Sequence, residues 1–131
     1  MIEIDKGLIK RFIDGNFGLA IAHENMPDTP AVGTPYAEIF VLQNDVTSLT
    51  LAHTNLTDGV FRVILHYPGE SGAVAAKTMA DTIFAQFKLG SKIEYSGVKI
   101  LITGNKRQNG TVSDGWFEIV LTVAYRAFLR R

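Results

Sequence analysis

The stretch that most narrows the folds open to this chain runs from Val60 to Phe87, VFRVILHYPGESGAVAAKTMADTIFAQF. At its start Phe61, Val63, Leu65 and Tyr67 alternate with Val60, Arg62, Ile64 and His66. That period of two predicts a strand with one apolar and one mixed face. At its end Ala76, Met79, Ala80, Ile83, Phe84 and Phe87 fall at i, i+3, i+4, i+7, i+8 and i+11, the stripe of a helix laid on a sheet. Pro68, Gly69, Ser71 and Gly72 turn one into the other, with Ser71 expected as N-cap and Gly90 as the stop.

The remaining segments are read in the same way. Leu8, Ile9, Phe12 and Ile13 recur at helical spacing after Asp5, an expected N-cap. Gly15 and Gly18, each costing about 1 kcal/mol in a helix interior, break that helix and leave LAIAHEN as a turn or short second segment. Met26–Pro35 holds three of the four prolines and reads as an extended loop. YAEIFVLQ reads as a strand covered on both faces, SLTLAH as a short extra strand, and TDG as a turn into VFRVILHY. GVKILITG is a further strand, NKRQNGTVSDG a polar loop, and WFEIVLTVAYRAF a long closing strand with Phe117, Ile119, Leu121, Val123 and Tyr125 on one face. The expected fold is α+β: a mainly antiparallel four- to five-stranded sheet, helices packed on one face, in the order α-β-(β)-β-α-β-β.

A chain of 131 residues, 47 % of them hydrophobic, is expected to fold as one domain, residues 1–131, around one core. Lys+Arg and Asp+Glu balance at 13 each, so nothing in the total charge argues for capture of nucleic acid or an anionic membrane. Arg126, Arg130 and Arg131 gather at the end, which reads as a solvated tail. The chain has no cysteine, which excludes disulfides, thiolate catalysis and thiol-ligated metals. MIEIDKGLIKRF lacks the pattern of a secretory signal, and the apolar runs fall short of the roughly 20 residues a spanning helix needs. A soluble, intracellular origin with no membrane association is the default expectation.

A strand, a glycine turn and a helix bearing Lys-Thr are also the setting of phosphate loops and nucleophile elbows. A phosphate loop needs G-x-x-x-x-G-K-[ST], whose backbone N–H groups cradle the phosphates. With Lys77 and Thr78 aligned to its end, Ala76 and Ser71 stand where both glycines belong. Lys77 then falls inside the helix, positioned for an i, i+4 pair with Asp81. An elbow needs G-x-S-x-G, but Gly72 follows Ser71 directly and no histidine follows His66. The three histidines, His23, His53 and His66, form no metal-ligand spacing. Trp116 opens a strand after a polar loop and reads as packed at a sheet edge, with a subunit contact as the alternative. No catalytic residue, cofactor site or metal site is expected.

Two longer stretches carry a resemblance. AHENMPDTPAVGTPYAEIFVLQND sets His-Glu-Asn before a proline loop and Pro-Tyr at a strand start. In DGVFRVILHYPGESGAVAAKTMADTIFAQFKLG a strand ends in Tyr-Pro-Gly, and Ala-Asp leads the helix to Phe; GVKILI follows. Across roughly Ala20 to Thr103 the chain resembles the tail terminator, or tail completion, proteins of long-tailed bacteriophages and prophages. The resemblance implies a structural protein, not an enzyme. It implies a self-assembled ring, usually a hexamer, that caps the tail tube protein, ends its polymerisation and offers a surface to the head-completion protein. DNA would pass through the lumen without sequence readout, and the protein would sit in the virion after assembly in the host cytoplasm. Another head–tail connector or neck protein is the nearest alternative; a nucleotide-binding protein or enzyme built on the 66–78 joint is a further one. Interface candidates are Pro30, Pro35 and Tyr36 at the proline loop, His53 and Asn55 in the Ser48–Asn55 segment, Lys106 and Arg107 in the Asn105–Gly115 loop, and Trp116.

Overall fold

The computed structural model describes residues 2–15, 17–18, 20–23, 35–43, 47–48, 54–68, 72–95, 97–108, 110–113 and 115–130. Its elements are α1 (Ile2–Asp14), β1 (Ala20–His23), β2 (Tyr36–Gln43), β3 (Thr47–Ser48), β4 (Thr54–Pro68), α2 (Gly72–Gln86), β5 (Lys92–Tyr95), β6 (Val98–Arg107), β7 (Thr111–Ser113) and β8 (Trp116–Arg130). The class is α+β. Among the described residues the sheet runs β1-β2-β4-β8-β6-β5, with β3 added to β4 and β7 to β8. Among the described residues every pairing is antiparallel except β1 with β2.

This sheet is larger than the four to five strands expected, and its element order gains β1, β5 and β7. The short strands AIAH and KIEY carry too few residues for their own periodicity to declare them; they exist because a longer neighbour supplies the ladder. The polar loop expected over Asn105–Gly115 is in part ladder too. β6 continues to Arg107, and β7 pairs Thr111 with Glu118. The turn expected at TDG is absent: β4 passes through Asp58 and Gly59 without interruption, because β8 pairs it from Thr54↔Arg130 to Pro68↔Trp116. Here an unbroken partner strand overrides local turn propensity.

Helix α1 starts at Ile2, so Asp5 lies within it rather than at its cap. It ends where predicted, with the Gly15 N–H donating to the Phe12 carbonyl at 3.2 Å. In α2, Ala76, Ala80 and Ile83 are fully buried, as is Phe87 just past its end, while Met79 and Phe84 pack partly buried beside them. Lys77 and Asp81 are both exposed, and their expected pair is not among the ion pairs of the described residues. After α2 the chain reverses at Gly90, whose φ of 85° favours glycine. There the Gly90 N–H donates to the Ile102 carbonyl at 2.9 Å, and the Ile102 N–H to the Ser91 carbonyl at 2.9 Å.

One core joins sheet and helices. It contains Ile4, Leu8 and Phe12 of α1, the α2 stripe, Phe61, Val63 and Leu65 of β4, and Ile119, Leu121, Val123 and Tyr125 of β8. α2 packs on β4 and β8, and α1 chiefly on β5. The two helices are also tied at their ends: Arg11 Nε donates to the Gln86 carbonyl at 3.0 Å, and Gln86 Nε2 to the Arg11 carbonyl at 3.1 Å. Tyr125 reaches across Gly59, its register partner on β4, and its hydroxyl donates to the Leu42 carbonyl of β2 at 3.2 Å. Among the described residues no helix is long and apolar enough to cross a membrane.

Candidate functional site

Alternation along β2, β4 and β8 sends every second side chain away from that core. The residues so directed include Tyr36, Glu38 and Phe40 on β2, Arg62, Ile64 and His66 on β4, and Trp116, Glu118 and Val120 on β8. Register then gathers some of them. Tyr36 stands opposite His66, His66 opposite Glu118, and Trp116 opposite Pro68 one step along the same face.

His66 is the centre of the cluster and is 5 % exposed. Its Nε2 lies 2.5 Å from Glu38 Oε1 and its Nδ1 3.3 Å from Glu118 Oε1. Neither nitrogen has an aligned hydrogen bond, so both carboxylates approach the ring off its N–H axes. The Tyr36 ring stacks on the imidazole at 4.3 Å with 7° between planes. Trp116 stands edge-on to both, at 5.4 Å from Tyr36 and 6.5 Å from His66. Burial, and then the Glu38 and Glu118 charges, push the Tyr36 hydroxyl pKa above its usual value, so the phenol stays neutral and the local field is negative. The two carboxylates are about a third exposed, at 34 % each.

This cluster has aromatic surface, a buried imidazole and half-open carboxylates, but no nucleophile beside a base. Among the described residues no group of three or more His, Cys, Asp or Glu could hold a metal ion. The composition suits contact with another macromolecule, where aromatic residues anchor and charges set register.

Of the residues singled out in the sequence, Tyr36 and Trp116 come together here, and Pro35 and Pro68 flank them at the ends of their strands. Lys106 and Arg107 do not join the cluster. Both are exposed near the end of β6, opposite Thr122 and Leu121 of β8. Asn55 lies on β4 opposite Leu129, and Gly72 begins α2. Pro30, His53, Gly69 and Ser71 lie outside the described residues. His66, Glu38 and Glu118 were not candidates, because no sequence spacing links three residues on three strands.

Comparison with known proteins settles the family. A model of the phage tail terminator proteins matches residues 3–125. The chain belongs to the phage tail terminator family. Its members are structural components of phage tails, and the match includes every residue of the cluster. Among the solved structures, one superposes on this terminator with a TM-score of 0.76 at 21 % identity, covering 95 % of this chain and 92 % of its own. At that identity the likeness concerns the fold. No curated protein matches the chain.

Proposed function

We propose that this terminator caps the phage tail tube as a ring, usually six copies, that it ends tube polymerisation, and that it then presents the surface to which the head is joined. The carrying observation is the family match over residues 3–125. The half-buried aromatic and acidic cluster adds support, as a surface built for contact. In this reading the partners are further copies of the chain, the tail tube protein and a head-completion protein. DNA passes through the lumen without being read, consistent with a formal net charge of zero. Assembly takes place in the host cytoplasm, and the protein ends in the virion. Pro35, Tyr36, Lys106, Arg107 and Trp116 supply contact surface rather than chemistry. Lys77 stands exposed in the second turn of α2 and serves no phosphate.

Deletion of the chain from its phage tests this directly. Tails that are over-long or lack heads are expected; tails of normal length joined to heads would refute it. Decoration of purified tail tubes, seen by electron microscopy, separates this reading from another head–tail connector, which would mark portal complexes instead.

A further inference from the structure

The sheet carries two unlike patches at opposite ends of β8. At its start stands the cluster of Tyr36, Trp116 and the carboxylates around His66. Glu38 and Glu118 share one imidazole, so within this cluster two carboxylates edge the aromatic rings. At its finish, a groove of about 350 Å³ opens between β5, β6 and β8. Its floor includes Leu101 and the partly buried Phe128, and its rim carries exposed Lys92, Lys99 and Glu94. Two lysines to one glutamate make that rim net positive. Trp116 and Phe128 are twelve residues apart on one extended strand, or about 40 Å at roughly 3.3 Å per residue. One patch therefore offers aromatic rings edged with acids, and the other an apolar groove edged with bases.

We propose that the aromatic and acidic patch of one copy seats in the groove of the next, making the two ends of β8 the two faces of a head-to-tail contact. This rests on the ring reading above and specifies its interface. A ring needs different patches meeting in one direction, and closure of the rotation prevents a filament. Trp116 and Tyr36 fill the groove over Phe128 and Leu101, and Glu38 and Glu118 face Lys92 and Lys99. Opposite charges guide the encounter and reject a flipped approach, in which acid would meet acid.

Two double variants test it: Glu38→Lys with Glu118→Lys, and Lys92→Glu with Lys99→Glu. Each alone is expected to weaken ring formation at tail-tube tips by about tenfold or more, read as capped tips against protein concentration. An equimolar mixture, in which each altered patch meets a complementary groove, is expected to restore capping. Wild-type capping by either variant alone, or no recovery in the mixture, overturns the contact. If tubes are capped normally by every variant, the terminator role stands and only this interface falls. If the unaltered protein caps no tubes, both fall. A second measurement covers variants that fold poorly. In this cysteine-free chain, Trp116→Cys with Lys99→Cys places two thiols too far apart to join within one copy. Under oxidation on tubes a reducible ladder of linked copies supports the contact, and monomer alone overturns it.

Discussion

Tyr125→Phe probes how β8 is tied across the sheet, because it removes one oxygen and leaves the buried ring. Tyr125 is 1 % exposed, and its hydroxyl donates to the Leu42 carbonyl at 3.2 Å. Losing that bond is expected to lower stability at pH 8 by about 1 kcal/mol. The same hydroxyl links folding to pH. Burial first, then the Asp5 and Asp58 charges, raise its folded-state pKa well above the usual 10.0. Below pH 10 the phenol is neutral in both states, and its contribution is complete. Above pH 10 the unfolded chain ionises it while the folded chain does not, so stability falls as pH rises, by up to about 1.4 kcal/mol per pH unit. The fall continues until the folded-state group ionises in turn. Tyr36 and Tyr67, also raised, chiefly by burial, remain in both proteins and cancel in the comparison. Urea denaturation from pH 8 to 11 should therefore show the wild type more stable at first. The two curves should cross between about pH 10 and 11, where the ionisation term overtakes a hydrogen bond of about 1 kcal/mol. Curves that stay parallel through pH 11 would refute the assignment of a buried, bonded hydroxyl.

Two further substitutions address packing and backbone. Phe61→Ala empties a fully buried site between Phe12 and Phe87, whose ring centroids lie 6.0 and 5.3 Å away. It should cost about 3–5 kcal/mol in chemical denaturation, and a loss under 1 kcal/mol would show that the core is not packed as described. Gly97→Ala forces a side chain onto a φ of 83° beside the β5–β6 pairing Tyr95↔Val98. The expected loss is about 1–2 kcal/mol, with nothing within 4 Å to blame on a clash; unchanged thermal unfolding would contradict it.

The elements legible in the sequence are those whose period exceeds their neighbours' influence. The α2 stripe from Ala76 to Phe87 spans enough turns to fix a helix and its buried side, and Phe117 to Tyr125 fix a strand in the same way. Gly15 was legible because a glycine at a helix end has a local cause. Asp58-Gly59 misled for the opposite reason. Two residues with turn chemistry sit in a strand because fifteen register pairs with β8 hold them there, a term no window on the sequence contains. β1 and β5, four residues each, exist only through their partners.

The candidate site was hidden by the same arithmetic. Tyr36, His66 and Glu118 belong to three strands, and only the registers Tyr36↔His66 and His66↔Glu118 bring them into one row. His66 stood in view at the mouth of the strand–turn–helix joint, where the question was whether Ser71 or Lys77 does chemistry. Its meaning lies instead on the sheet face that α2 does not touch. A histidine in an apolar alternation is ordinarily a tolerated intruder, but this one is buried between two carboxylates and stacked on a tyrosine. Burying a polar ring is unfavourable unless polar groups stand against it. The answering groups come from both neighbouring strands, so the cluster pins the pairing of β2 to β4 and of β4 to β8 at one end. Slipping either register by one residue would turn Glu38 or Glu118 to the core side and leave the imidazole unanswered. The cluster that makes the outer face distinctive thus also helps to set the registers that put Phe61, Val63 and Leu65 beneath α2.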